Sequence, residues 1–280
     1  MTPAMNADLH CHSTVSDGQM APAAVAQLAK AGGVGLWALT DHDELGGQRE
    51  AREAAEALGM RYLSGVEISV TWASRTVHIV GLHVDPECPA LVDGLARTRN
   101  GRAARAEAIG EKLETLGIPD AYQGALRYVS NPDLISRTHF ARFLVESGRA
   151  RDMQDAFTRW LGDGKAGYVS HRWAKLADAL SWIKAAGGEA VVAHPGRYSY
   201  TQLELDAFFG EFIDLGGKAI EVVTGSHTPD QYGEYAAVAR RFGFEASRGS
   251  DFHAKGPDSI EPGTLPPLPS DLKPVWERWL

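Results

Sequence analysis

The chain has 280 residues, 44% hydrophobic and 23% charged, an ordinary globular composition with enough length to bury a substantial core. A formal net charge of −8 argues against a surface coated for nonspecific nucleic-acid binding, so no DNA-binding module is expected. The only two cysteines, Cys11 and Cys88, exclude a disulfide framework or a CxxC metal knuckle, and no apolar run approaches a membrane span or an export signal, so a cytoplasmic protein is expected.

In chain order, ADLHCH, APAAVAQLAKAGG, GLWALTDH, GGQREAREAAEALG and MRYLSGVEISV alternate between short apolar runs and helical patterns. This is the rhythm of parallel strands with helical crossovers. A further strand, RTVHIVGLHV, follows directly. From Pro89 to about Gly167 the rhythm stops and helices are expected, over ALVDGLARTRNGRAARAEAIGEKLETLG, DLISRTHFARFLVESG and MQDAFTRWLG. Alternation then returns: LADALSWIKAAGG leads into EAVVAHPG, LDAFFGEFIDLGG into KAIEVVTG, and YGEYAAVARRFG into FEASRGSDFH. The proline-rich end predicts an irregular strap closing in a short helix. The expected architecture is an α/β barrel, residues 1–95 and 171–280, interrupted by a helical insertion over 96–170.

Parallel α/β barrels gather their chemistry at the C-terminal ends of strands. Here those ends carry His10 and His12, Asp41 and His42, Glu67, His78, His194, and Asp251 with His253; Asp17 follows the first pair by five residues. Residues i and i+2 on a strand share a side, which sends His10 with His12, and Asp251 with His253, toward one cavity. A lone His-x-His says little, whereas about five independent strand ends each delivering an imidazole or carboxylate predict a metal site. Imidazoles mixed with carboxylates and no thiolate suit Mn²⁺, Fe²⁺ or Zn²⁺ in a reactive centre better than a structural zinc. Nine such donors exceed one ion and suffice for three. With three carboxylates and a bridging hydroxide, the pocket would retain about +2, matched to a phosphate dianion. Asp41 is expected to orient its neighbours instead of ligating, His83 to lie on the surface, His171 and His227 to serve structure, and Cys11 to pack.

The segments DLHCHSTVSDG, ALTDHDELGG, GVEIS, TVHIVGLHV, VVAHPGRY, IEVVTGSHT and GSDFH, in this order across nearly the whole chain, resemble the PHP (polymerase and histidinol phosphatase) family of metal-dependent phosphoesterases. The resemblance implies a distorted seven-stranded, TIM-like β/α barrel with three divalent ions, Mn²⁺ first and Fe²⁺ or Zn²⁺ as alternatives. By position it implies one ion held by His10, His12, Glu67 and Asp251. A second would take Glu67, His78 and His194, and a third Asp17, His42 and His253. It implies hydrolysis by a metal-bridged hydroxide held by Glu67, with His194, His78 and Asp251 around it.

The insertion adds a finer resemblance. ISRTHFARFL followed by AGYVSHRW is similar to the TrpH-like branch, which includes 3′,5′-nucleotide bisphosphate phosphatases and a 5′–3′ exoribonuclease. The segment from Arg97 to Arg151 holds ten Lys/Arg against six acids, read either as a solvated helical surface or as a basic lid. Ser136, Arg137 and His139 could clamp phosphate oxygens, and Arg99 and Arg102, three apart on a presumed helix, could share a face for a second phosphate. Each arginine has an ordinary surface role as its alternative. The expected partner is a nucleotide, with short 5′-phosphorylated RNA as a further substrate; no protein or membrane partner is inferred. The rival readings are a histidinol-phosphate-type phosphatase, which shares the metal ligands, and a metal-dependent amidohydrolase, which would need no basic insertion.

Overall fold

The structure, a computed structural model, describes residues 5–129, 131–256 and 259–280. It divides into two compact units, residues 1–95 with 174–280, and residues 96–173.

In the first unit, β1 (Ala7–Asp8), α1 (Pro22–Ala31), β2 (Leu36–Leu39), α2 (Gln48–Ala57) and β3 (Arg61–Trp72) form in the expected alternation. Strands β1, β2 and β3 pair in parallel. The next strand, β4 (Arg75–Leu82), to which the sequence reading gave no direction, runs antiparallel to β3, with Ser69 opposite His78. Only Ala73 and Ser74 separate the two strands, too few residues for a crossover. Both have positive φ, 43° and 65°, the condition for a tight two-residue hairpin. Because β4 runs backwards, its first half lies at the same rim as the C-terminal ends of the parallel strands. That is how a histidine near the start of a strand reaches the site.

The helical unit follows, and beyond it β5 (Ala174–Lys175) adds to the end of β3. Helix α8 (Leu176–Ala185) leads to β6 (Glu189–Val192), α9 (Gln202–Asp214) to β7 (Ala219–Thr224), and α10 (Pro229–Phe242) to β8 (Glu245–Gly249). The seven strands run in the order β1-β2-β3-β4-β6-β7-β8, with β4 also antiparallel to β6. Beyond the strands the ends nearly close: Leu9 N–H donates to Arg248 O at 3.0 Å and Asp251 N–H to His10 O at 2.7 Å. A Cβ at Gly249 would come within 2.4 Å of His10 Cβ, so this seam admits only glycine.

Strand alternation sorts the core into layers. Leu36, Ala38, Val80, Leu82, Val191 and Ala193 fill one cluster with Ala7, Leu9 and Ala219, the barrel interior. Their intervening neighbours Trp37 and Leu39, or Ile79 and Val192, join clusters under the helices. Glu67, His78 and Glu221 belong by parity to the interior face. The strap ends in a short 3₁₀ turn, Val275–Trp279, as expected.

In the second unit, residues 96–99 end α3 (Pro89–Arg99), followed by α4 (Arg102–Thr115), α5 (Ala121–Leu126), α6 (Arg137–Glu146) and α7 (Met153–Ala156), which continues as a π-helical turn to Leu161. It has its own core, in which Ile109, Leu113, Phe140 and Leu144 are fully or nearly fully buried.

Candidate metal centre

All nine donors that the sequence singled out converge. Glu67, fully buried in the middle of β3, is their hub. Its Oε2 lies 3.3 Å from His10 Nε2, 3.3 Å from His12 Nε2 and 2.9 Å from His42 Nδ1. Its Oε1 lies 2.9 Å from both His78 Nδ1 and His194 Nε2. Asp251 Oδ1 faces His12 Nε2 at 3.3 Å and His10 Nε2 at 3.5 Å. Asp17 stands on the other side of His12, with Oδ1 3.4 Å from His253 Nε2 and Oδ2 3.9 Å from His42 Nε2.

Four overlapping groups of ligand atoms, each within 4.8 Å of one another, result: His12, Asp17, His42 and His253; His10, Glu67 and His194; His10, His12 and Asp251; His42, Glu67 and His78. The donor set fits divalent cations. His42 Nδ1 and His78 Nδ1 approach Glu67 to 2.9 Å, yet both nitrogens and Glu67 Oε2 are buried without a hydrogen-bond partner. Lone pairs aimed at a common point instead of at one another are what a shared cation requires. No thiolate joins them, since Cys11 Sγ contacts Ala38 O and Trp37 Nε1.

Short pairings extend the strands far enough to place these donors. Asp43 N–H donates to Glu67 O at 2.9 Å and His12 N–H to Phe252 O at 2.8 Å. Asp41 Oδ1 accepts from Ser13 N–H at 2.7 Å and Ser16 Oγ at 2.6 Å, pinning the turn that carries Asp17. His194 and Asp251 both take positive φ, 26° and 52°, rare for residues other than glycine. His194 follows the inward-facing Ala193, so an extended backbone would carry it outward; the left-handed turn brings it back.

Charge is stored in the cluster. Burial alone would raise the Glu67 and Asp17 carboxyls, but the imidazoles of His42 and His78 around Glu67, and of His42 and His253 around Asp17, pull both well below the usual range. Burial against a weaker pull from Glu67 holds His194 down to about 3. Burial opposes a charge on His10, but Glu221, Glu67 and Asp251 raise it well above the ordinary imidazole value.

Sequence reasoning passed over several participants. Glu221 Oε1 lies 2.7 Å from His10 Nδ1, and its Oε2 accepts from His194 N–H at 2.6 Å. Ser226 Oγ donates to Asp251 Oδ2, and the half-exposed Arg197 lies 3.5 Å from the same oxygen. Tyr198 accepts from His78 N–H and donates to Ala193 O. A glutamate inside the otherwise apolar AIEVVT strand was the one signal available in the sequence. The remaining histidines lie as follows: His83 is exposed and stacked on Trp279, His171 is half-buried with its ring edge-on to Trp173, and His227 is buried, accepting from Gly196 N–H.

The helical unit holds the other expected residues. Arg99 and Arg102 do not share one helix as presumed: Asn100 and Gly101 separate the end of α3 from the start of α4. Arg102 is buried with its guanidinium 4.8 Å from the Trp173 ring, and Arg105, absent from the sequence expectation, lies 5.1 Å from the same ring. Arg137 lies 5.6 Å from the Tyr168 ring and bonds Asp163. Burial, followed by the charges of Arg137 and Arg102, holds Arg105 down to about 9. Ser136 and His139 form the N-cap box of α6: Ser136 Oγ accepts from Thr138 N–H and Ser136 N–H donates to His139 Nδ1.

Comparison with known proteins finds relatives over nearly the whole chain. Residues 8–160 match the PHP domain family. The chain is 49% identical over 273 residues to a 3′,5′-nucleoside bisphosphate phosphatase of Chromobacterium violaceum, covering 98% of this chain and 96% of the relative. It is 40% identical over 274 residues to the 5′-3′ exoribonuclease Rnm of Escherichia coli, with 97% and 93% covered. Among solved structures, an amidohydrolase from Chromobacterium violaceum with bound sulfate and no metal superimposes with a TM-score of 0.94 at 49% identity, covering 98% of this chain and 95% of that one.

Proposed function

Because the chain belongs to the PHP domain family, we propose that it is a metal-dependent phosphoesterase acting on nucleoside 3′,5′-bisphosphates. It removes the 3′-phosphate to leave a nucleoside 5′-monophosphate and phosphate, and it also shortens 5′-phosphorylated RNA from its 5′ end. The observation that carries this reading is the single carboxylate of Glu67 approached within 3.3 Å by five imidazoles. Such a hub is suited to a cluster of ions and has no use in a purely structural core.

Three divalent cations, Mn²⁺ in first place, are assigned to the nine donors. His10, His12, Glu67 and Asp251 would hold one, Glu67, His78 and His194 the second, and Asp17, His42 and His253 the third. Bound there, such cations supply Lewis-acid charge and lower the pKa of coordinated water near neutrality. The chain's own residues do the rest. Glu67 and Asp251 hold the imidazoles in register, Asp41 fixes the turn that delivers Asp17, and Arg197 offers a guanidinium to phosphoryl oxygens beside Asp251.

A second phosphate is assigned to the arginines of the helical unit, Arg99, Arg102 and Arg137, with Arg105 beside them. Ser136 and His139 fix the helical turn that carries Arg137. A cytoplasmic location is part of this reading.

The test is phosphate release by Mn²⁺-loaded protein from adenosine 3′,5′-bisphosphate, with a 5′-phosphorylated oligoribonucleotide, histidinol phosphate and an amide panel as comparisons. Chelator-sensitive release from the bisphosphate is expected. Turnover of amides alone would return the rival amidohydrolase reading, and preference for histidinol phosphate would move the substrate.

A further inference from the structure

We infer that Glu221 is a positioning residue for the metal centre, its one carboxylate fixing the ring of His10 and the backbone of His194 together so that both present Nε2 toward Glu67. The inference rests on the metal reading above. Glu221 is 1% exposed in the middle of β7, and its two oxygens are divided between two different ligand-bearing segments: Oε1 to His10 Nδ1 at 2.7 Å and Oε2 to His194 N–H at 2.6 Å.

A carboxylate only accepts. In the neutral ring that a cation requires, it therefore selects the His10 tautomer with the proton on Nδ1, which leaves the Nε2 lone pair on the side of Glu67 and Asp251. The same group captures the amide of a residue in a backbone region that side chains rarely adopt, φ 26° and ψ 58°. The local sheet is shaped for this. The β7–β8 register shifts between Glu221 and Val223, the mark of a bulge that re-aims a side chain beside a site. Val222 O lies 3.3 Å from His227 Nδ1, and His227 Nε2 accepts from Gly196 N–H at 3.0 Å. The turn 194–196 is thus held at one end by Glu221 and at the other by His227.

Glu221→Gln preserves volume but offers one acceptor and one NH₂ to two donors, so either His10 changes tautomer or His194 N–H loses its partner. Titration of the metal-free full chain with Mn²⁺, followed by metal analysis, reads the consequence. The expected result is a roughly 10- to 100-fold weaker affinity for at least one ion, with excess Mn²⁺ restoring phosphate release and with metal-free thermal unfolding close to the parent's. Wild-type affinity in the variant overturns the inference while leaving the metal reading intact. Absence of Mn²⁺ binding by the parent chain sinks both. Should the variant not fold, long-range ¹H–¹⁵N spectra of the zinc-loaded parent decide: His10 is expected protonated on Nδ1 alone, and a proton on Nε2 overturns the assignment.

Discussion

At the scale of single residues, the geometry makes Glu67 irreplaceable. Glu67→Gln removes the charge that five imidazoles share. We expect reduced bound metal and a fall in kcat beyond the roughly 100-fold that loss of an outer partner causes, read by metal analysis and phosphate release. His227 gives a pH prediction. Burial holds its imidazole down to about 4, whereas the unfolded chain takes up that proton near 6.5. The unfolded state therefore binds more protons in between, and stability is fully present above pH 6.5 and lost as pH falls toward 4. In denaturant titrations of metal-free protein, the parent should lose about 3 kcal/mol more than His227→Gln across that window. The nine donors were legible because ligand-type residues at strand ends violate the apolar pattern there. Glu221, Arg197 and Tyr198 were not, because each acts on a donor distant in sequence and follows no spacing rule.

At the scale of elements, the hairpin between β3 and β4 matters most, since it turns His78 toward the rim. Its exposed turn residues, Ala73 and Ser74, sit at φ 43° and 65°. Replacing them with Asn and Gly, which favour that geometry, should raise stability by about 0.5 to 1 kcal/mol, read as a higher denaturation midpoint with KM unchanged. Helices were readable from periodicity and punctuation, except for the break that Asn100 and Gly101 impose between α3 and α4, which a continuous helical pattern hid. Strand direction was not. An apolar run has the same period whichever way it runs, and only the two-residue connection betrays β4. The boxes capping α6 show a similar limit: Ser136 and His139 read as phosphate contacts, yet their spacing of three is also that of a helix cap.

At the scale of the whole molecule, no helix among the described residues is long and apolar enough to cross a membrane. The barrel class was legible from the alternation alone, and the helical unit from its interruption. Neither could show how nearly the sheet closes, because that depends on hydrogen bonds between the first and last strands. Since donors come from His10 through His253, cations that bind only the folded chain should stabilise all of the sheet together. At free Mn²⁺ one hundred times Kd, one site contributes about 2.7 kcal/mol, and calorimetry should show Tm several degrees higher than in chelator. An unchanged Tm would contradict the ligand assignment.

The seam between Leu9 and Arg248 has a consequence for biosynthesis. The earliest donors to leave the ribosome wait, unmatched, for Asp251 and His253, the last of the nine to be translated. A message broken anywhere upstream of those codons cannot yield a fragment with the complete ligand set, so activity is coupled to synthesis at least as far as His253.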